Sequence, residues 1–298
     1  KAVQEFEAGT LFATAYDSVT AIKPMKPGVK VLEIDRSNPV PEPPFWGQRY
    51  VETVDATALF PLINEQALFR GRWGYRRGKM GAVEYEELIA GTVRPLYEKL
   101  IERSIGEGWL QPKISYGYFP CHAQENTLLV EAEGQEHCFS FPRQGEAPFL
   151  CIADYFKSAK EGGDVAGFFV VTIGAKIGEE IAKLYEANAY HDYLMLHGFS
   201  VEVTDALAEY WHRIMRQELS LRGDEAGDVY GAVTQEYQGS RYGFGYPSCP
   251  DLDAHKPLFA FLKPEGIGIT LTENMQMVPE QTTSAIVAHH PQAKYFAV

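Results

Sequence analysis

The chain has 298 residues, enough for one large domain or two small ones, and 45% of them are hydrophobic. A net charge of −13 argues against nucleic acid as the main ligand. No apolar run approaches the roughly 20 residues that a membrane helix needs, and no secretory signal pattern is present. We therefore expect a soluble, cytoplasmic protein that binds neither nucleic acid nor membranes.

The N-terminal part of the sequence looks irregular. Residues 33–47, "EIDRSNPVPEPPFWG", are rich in proline, which favours an extended chain over helix or sheet. We predict that residues 1–48 form an extended linker or strap and that residues 49–298 form the folded unit.

The first clear periodicity is helical and the next is that of strands. Residues 82–104, "AVEYEELIAGTVRPLYEKLIERS", have apolar residues at helical spacing and predict a helix that Pro95 disturbs. Short β-type runs follow at 113–121, 126–134 and 136–143, and the last two predict an antiparallel hairpin that turns at "EGQE".

Further elements follow along the chain. Residues 165–175 read as a buried strand, residues 178–190 and 202–219 as two helices, residues 226–237 as a third helix, and residues 266–298 as two or three strands. Helices interleaved with antiparallel strands favour an α+β fold, with helices around a twisted antiparallel sheet. The sequence lacks G-x-G-x-x-G between strand and helix, G-x-S-x-G and H-E-x-x-H, so the dinucleotide-binding and common hydrolase classes lack their motifs.

The helix predicted over 202–219 has two distinct sides. Its apolar stripe predicts burial of Ala206, Tyr210 and Ile214, with Leu207 and Trp211 as further candidates. A second stripe holds charged residues three or four apart, which is typical of a solvated ion-pair face. Its members are Asp205, Glu209, His212 and Arg216.

Cysteine and histidine residues do not indicate a metal site. The four cysteines contain no C-x-x-C pair, and Cys121-His122 and His289-His290 are isolated pairs. Reduced thiols and ordinary histidines are the simpler interpretation, and we predict no bound metal. The four cysteines are Cys121, Cys138, Cys151 and Cys249.

The stretch "SRYGFGYPSCP", residues 240–250, has the composition of a binding loop. Arg241 offers a planar fork of donors that suits a carboxylate. Gly243 and Gly245 allow a ligand to approach the backbone, and Tyr246 adds an aromatic wall. These features suit an amino-acid-bearing nucleoside, while a glycine-rich connection between helix and sheet is the alternative.

Several segments, in order from about residue 50 to the end, resemble one known family. They are "YQGSRYGFGYPSCPD", "ALAEYWHRIMR", "CIADYF" and "LTENMQMVPEQTTSAIVAHHPQAKYFAV", with the weaker "INEQALF" and "YGYFPCHAQ". Together they resemble the C-terminal reactivation domain of cobalamin-dependent methionine synthases, which binds S-adenosylmethionine (AdoMet).

The resemblance implies a helmet-like α+β domain with AdoMet in a shallow groove. It implies docking over the corrin of a neighbouring cobalamin-binding domain, with an electron from flavodoxin or a similar donor. AdoMet then supplies the methyl group that converts cob(II)alamin to methylcobalamin, within the 5-methyltetrahydrofolate–homocysteine methyltransferase of methionine biosynthesis. The cobalamin-binding motif D-x-H-x-x-G is absent, so we expect this chain alone to be incomplete for catalysis. We also expect it to contribute no catalytic residue, because the role that the resemblance implies for it is to position AdoMet.

The family's site residues fall on the glycine-rich stretch. By resemblance, Arg241 holds the AdoMet carboxylate, Gly243 contacts the ligand through its backbone, and Tyr246 stands at the corrin-facing edge. We add Gly245 because it belongs to the same loop.

Other implied site residues lie elsewhere in the chain. Asp205 occupies the place of a family glutamate near the ligand, and Tyr295 and Phe296 match a closing aromatic pair. Asn64 replaces the family's aspartate that binds the AdoMet ammonium. Either Asn64 acts as a neutral acceptor, or the adjacent Glu65 supplies the charge.

Residues 70–79, "RGRWGYRRGK", contain five basic residues and no acidic one, although the chain as a whole is acidic. They read as a solvated loop or as a docking patch for an acidic electron-transfer protein or the cobalamin module. The basic residues are Arg70, Arg72, Arg76, Arg77 and Lys79. For the whole chain, a free-standing methyltransferase for a small molecule and a non-catalytic docking module remain the alternative functions.

Overall fold

The computed structural model describes residues 33–223 and 235–298. Its centre is a seven-stranded antiparallel sheet with the strand order β4-β3-β2-β5-β9-β6, and β1 pairs with β2. The strands of this sheet are β1 Gly47–Val51, β2 Lys113–Gln124, β3 Thr127–Ala132, β4 Gln135–Ser140, β5 Asp164–Thr172, β6 Ser240–Gly243 and β9 Thr282–Ala288. Two short strands, β7 Thr270–Leu271 and β8 Met277–Val278, form a separate ribbon.

Five α-helices surround the sheet in the described part of the chain. They are α1 Ala82–Leu88, α2 Arg94–Gly106, α3 Lys176–Glu186, α4 Tyr190–Glu218 and α5 His255–Leu262. Two stretches are π-helical: Ala67–Arg72, and Ile89–Val93, which joins α1 to α2.

The sheet separates two hydrophobic cores because side chains alternate along its strands. On one face, Phe169 and Val171 of β5 belong to the same core as Phe199, Val203 and Leu207 of α4. On the other face, the alternate β5 residues belong to a second core with α5 and the β3–β4 hairpin. Its central members are Phe168, Val170, Leu258, Phe261 and Phe139.

The α+β class and its antiparallel sheet are confirmed. The helix over 82–104 is present as α1, the π-helical turn and α2, and the disturbance lies directly before Pro95, which cannot donate a backbone hydrogen bond. The hairpin turns at Glu133 and Gly134, where both residues have positive φ (51° and 75°), as a two-residue turn requires.

Other details of the prediction differ from the structure. The helix predicted from residue 202 begins at Tyr190, and Tyr210 and Ile214 are only partly buried. The helix α5 was not predicted, because Pro257 obscures it. That proline lies in the first turn, where its missing N–H has no helical partner to lose. The helix predicted near 226–237 falls largely outside the described residues.

The N-terminal segment lies against the folded unit. Residues 33–46, as described, form neither helix nor strand. The carbonyl of Asp35 bonds His290 Nε2 at 2.7 Å, and Phe45 makes an edge contact with Tyr116 at 5.4 Å between ring centroids. The strap predicted for residues 1–48 stays a prediction, and residues 1–32 lie outside the described part. Within the described ranges, no helix combines the length and apolarity needed to cross a membrane.

One close contact positions the segment Ala67–Arg72 on α4. Trp73 donates from its indole Nε1 to the carbonyl of Met195 at 2.9 Å. Its ring lies over Gly198, where an added Cβ would stand 3.0 Å from Trp73 Cδ1. A glycine in the helix therefore lets the indole approach, and this contact holds Arg72 beside α4.

Candidate binding cavity

A cavity of about 510 Å³ opens where α4 crosses the strands β5, β6 and β9. Its wall combines a helix, three strands and four further stretches of chain, so distant parts of the sequence meet there. The lining residues are Leu62, Asn64, Ala67, Arg72, Phe169, Glu202, Asp205, Ala208, Glu209, Gln235, Tyr237, Arg241, Gly243, Tyr246, Thr283, Ser284, Ala285 and Tyr295.

Most of the site residues that the sequence indicated come together in this cavity. Six of the eight line it, although they are up to 231 residues apart in the chain. They are Asn64, Asp205, Arg241, Gly243, Tyr246 and Tyr295. Gly245 and Phe296 are not among the lining residues.

Gly245 shapes the turn that follows β6. Its φ is +83°, a conformation that favours glycine, and its N–H bonds the carbonyl of Cys249 at 2.8 Å. Phe296 is buried in the second core, with its ring 5.6 Å from that of Tyr242. The side chain of Phe296 is therefore not part of the cavity wall, whereas its neighbour Tyr295 is.

Gly243 and Tyr246 form one unit. A Cβ on Gly243 would lie 2.6 Å from Tyr246 Cδ2, so the tyrosine ring covers the glycine directly. Tyr246 remains 45% exposed at the rim. Burial of its hydroxyl and the neighbouring Asp205 raise the pKa of Tyr246 to about 12, so its phenol keeps its proton near neutral pH.

Arg241 enters the cavity from β6 and forms an ion pair with Glu209 of α4. Glu209 is buried and also lies 3.6 Å from the guanidinium of Arg216. Arg216 in turn donates to His212 Nδ1 at 2.7 Å and packs over the Tyr237 ring at 3.6 Å. A chain of charges thus ties α4 to β6.

The solvated face predicted for α4 is wrong at Glu209, His212 and Arg216. All three are buried, with 6%, 0% and 2% of their surface exposed. They lie on the side of α4 that turns toward β6 and Tyr237. Their three- and four-residue spacing fits a buried network as well as it fits a solvated one, because both require the partners on one face.

Asp205 and Arg72 lie side by side on the cavity wall. Arg72 bonds Glu202 through Nε at 2.5 Å and reaches Asp205 through a terminal nitrogen at 3.4 Å. Burial raises the pKa of Asp205, and the neighbouring guanidiniums of Arg72 and Arg241 oppose that shift. Arg72, which the sequence grouped with a surface patch, therefore belongs to the cavity wall together with Glu202, which the sequence did not indicate.

Asn64 and Glu65 point to different places. The carboxamide oxygen of Asn64 accepts from the N–H of Ala67 at 3.1 Å and caps a helical turn beside the cavity. Glu65 forms a two-point ion pair with Arg94, at 3.0 and 2.6 Å, in a separate groove. Of the two candidates, Asn64 is the one that lines the cavity.

The histidine and cysteine pairs have other partners. His289 bonds the buried carboxylate of Asp164 at 2.6 Å, and Cys121 is buried. In the described ranges, no cluster of three or more His, Cys, Asp or Glu side chains is arranged to hold a metal ion.

The chain is similar to known proteins over most of its length. Residues 58–298 match the family described as vitamin B12 dependent methionine synthase, activation domain. The chain is 43% identical over 278 residues to methionine synthase of Mycobacterium tuberculosis and 40% identical over 277 residues to that of Mycobacterium leprae. Each alignment covers 87% of this chain but 23% of the relative, so the chain spans less than a quarter of these curated proteins.

The fold also resembles a solved structure. The crystal structure of the MetH reactivation domain bound to AdoHcy superposes with a TM-score of 0.73 at 22% sequence identity. The match covers 90% of this chain and 86% of that one. At this identity, the likeness establishes the shared fold.

The buried His212 gives a test of the charge network. Burial, followed by the charges of Arg216 and Arg241, holds the pKa of His212 well below its usual value. Below about pH 6.5 the unfolded chain binds a proton at this histidine that the folded chain does not. The free energy of unfolding therefore decreases as the pH is lowered below that value. The slope from one such group is about 1.4 kcal/mol per pH unit.

We expect His212→Gln to reduce this dependence while keeping an acceptor for Arg216. Urea unfolding of both proteins between pH 7 and 5 should give a curve for the variant that is less steep by about one proton's contribution. Burial also lowers the pKa values of His255 and His290, but both histidines are present in the wild type and in the variant. Their contributions therefore cancel when the two curves are compared. Parallel curves would show that His212 is not the titrating group.

Proposed function

Because the chain belongs to the family of vitamin B12-dependent methionine synthase activation domains, we propose that its cavity binds AdoMet. The chain then acts as the AdoMet-binding module of a larger methyltransferase that makes methionine. Its partner is a cobalamin-binding domain of the same enzyme, and the proposed folded unit is residues 49–298. AdoMet supplies the methyl group for the reductive methylation of that cobalamin.

The observation that carries this proposal is the composition of the cavity where α4 crosses β5, β6 and β9. Its volume of about 510 Å³ is in the range of small-molecule sites. Two guanidiniums, three carboxylates and aromatic rings converge in it, and AdoMet presents a carboxylate, two positive groups and a flat base. Each charged group of the ligand thus has a group of opposite sign available.

Arg241 is the proposed partner of the ligand carboxylate. Glu209 occupies one terminal nitrogen of its guanidinium, and the fork has further donors. Arg241 lines the cavity and its side chain is 28% exposed, so we expect the remaining donors to be available to a ligand. The ion pair holds the guanidinium in place before the ligand arrives, which lowers the ordering cost of binding.

The ligand ammonium is proposed to lie between Asn64 and α4. Asn64 is neutral, and its carboxamide oxygen already accepts one backbone hydrogen bond, which leaves a second lone pair. The charge must then come from another residue, and Asp205 of α4 lines the same cavity. Glu65 is proposed to play no part because Arg94 holds it elsewhere.

The proposed contribution of this chain to the reaction is to position AdoMet. AdoMet carries its methyl group on a sulfonium, and the sulfur leaves as a neutral thioether that takes up no proton. No general acid or base is therefore required. Tyr246 and Tyr295 are 45% and 43% exposed at the rim, where a neighbouring domain could cover them. We propose that this rim faces the cobalamin-binding domain.

Arg241→Ala is expected to weaken AdoMet binding by about ten- to a hundredfold, because it removes a charge-assisted hydrogen bond. Isothermal titration calorimetry measures the dissociation constant. Arg103→Ala is the matched control, since Arg103 pairs with Glu107 on the surface of α2. An unchanged dissociation constant in a folded Arg241→Ala protein would remove Arg241 from the site.

Asn64→Asp is expected to tighten AdoMet binding several-fold, because it adds an anion and can still cap the helical turn. Glu65→Gln should leave the dissociation constant unchanged. The same calorimetry decides between them. The opposite pattern, with loss of affinity in Glu65→Gln alone, would place the ammonium in the groove beside Arg94.

A flavodoxin-like electron donor is the proposed external partner, and the exposed basic residues are its proposed docking patch. Arg76→Glu with Arg77→Glu should slow association at low salt, because opposite charges accelerate encounter. The difference should disappear near 1 M salt, where the Debye length is about 3 Å. Stopped-flow mixing measures the rate, and equal rates at low salt would make this segment a solvated loop. The patch consists of Arg70, Arg76, Arg77 and Lys79.

A further inference from the structure

The charges on the cavity wall are arranged in order along α4. Glu202, Asp205 and Glu209 lie on successive turns, and Glu202 and Glu209 are about 10 Å apart along the helix axis. Arg241 pairs with Glu209 at one end, and Arg72 contacts the other two carboxylates at the opposite end. Among the lining residues, three carboxylates therefore face two guanidiniums.

Arg72 is held at its end of this row. Its Nε bonds Glu202 at 2.5 Å, and its side chain is 31% exposed. The next residue, Trp73, anchors the segment to α4 through the carbonyl of Met195 and through close contact with Gly198. A fixed positive charge thus stands beside two acidic groups at one end of the cavity.

We propose that Arg72 sets the preference of the cavity between AdoMet and its demethylated product, S-adenosylhomocysteine (AdoHcy). The inference rests on the proposed function of the same cavity. The two ligands share the adenosine, the carboxylate and the ammonium, and they differ at sulfur, which is a cation in AdoMet and neutral in AdoHcy. A fixed charge nearby therefore changes their relative affinity only through that sulfur.

The sign of the effect follows from the charge balance. Arg72 offsets part of the negative potential of Glu202 and Asp205, so it disfavours the cationic sulfonium relative to the neutral thioether. Removing it should shift the preference toward AdoMet. One unit charge within about 10 Å, at an effective dielectric constant near that of protein surfaces, corresponds to about a three- to tenfold change in the ratio of dissociation constants.

A purely structural role for Arg72 predicts something else. If the arginine only anchored the segment Ala67–Arg72 to α4, its loss would weaken both ligands by the same factor. The ratio of the two dissociation constants separates these roles, because a distorted cavity cancels from the ratio and a changed potential does not.

The test is calorimetric titration of the whole chain with AdoMet and with AdoHcy at about 0.1 M salt, where the Debye length is about 10 Å. Arg72→Met should raise the preference for AdoMet about three- to tenfold, and Arg72→Lys should leave it near that of the wild type. Arg103→Met is the matched control, since Arg103 is exposed, pairs with Glu107 and does not line the cavity.

An unchanged or lower AdoMet preference in Arg72→Met would overturn the inference while leaving the proposed function intact. Binding of neither ligand to the wild type would instead overturn the proposed function. Should Arg72→Met not fold, Glu202→Gln tests the same charge row with the opposite sign. It should lower the preference for AdoMet, and a rise would contradict the inference.

Discussion

The cavity depends on the ion pair between Glu209 and Arg241. It joins the long helix α4 to the short strand β6, two elements that no short stretch of chain connects. Burying a carboxylate costs several kcal/mol unless partners surround it, and Glu209 has two guanidiniums, from Arg241 and Arg216. Protein contacts thus position the guanidinium of Arg241, and the carboxylate of the proposed ligand would meet a fixed donor instead of a mobile side chain.

The length of α4 makes this arrangement possible. Its 29 residues cross the sheet, so one side packs in the core while an adjacent side presents an acid on each of three turns. Phe199, Val203 and Leu207 fix the rotation of the helix against the sheet. Because that rotation is set by packing, the direction of Glu202, Asp205 and Glu209 follows from the core and not from local preference.

Strands and helices with regular spacing could be predicted from the sequence, whereas the direction of the charged side chains could not. The hairpin at Glu133–Gly134 and the helix through α1 and α2 follow from local patterns. The stripe of Glu209, His212 and Arg216 has the same spacing whether water or Arg241 faces it, and only the tertiary structure distinguishes the two. The second role of Arg72 was missed for a similar reason: it is exposed like the arginines near it in the sequence, but Trp73 also holds it beside α4, where it lines the cavity.

The neutral Asn64, which stands where the family has an aspartate, and the three acids on α4 together determine the charge of the cavity. A cavity that receives a zwitterion with an extra positive charge needs an excess of anions, but not at any one position. In this chain the neutral Asn64 lies opposite a helix that carries three carboxylates, partly balanced by Arg72 and Arg241. The negative charge that position 64 lacks can thus be supplied by the carboxylates of α4.

Arg72 modulates this negative charge. Since Arg72 and Asp205 contact each other at 3.4 Å, the negative potential in the cavity depends on how fully the arginine neutralises the carboxylates of the helix. In the proposed complex with AdoMet, recognition of the ligand's charge is then a property of the whole row of charges and not of a single contact.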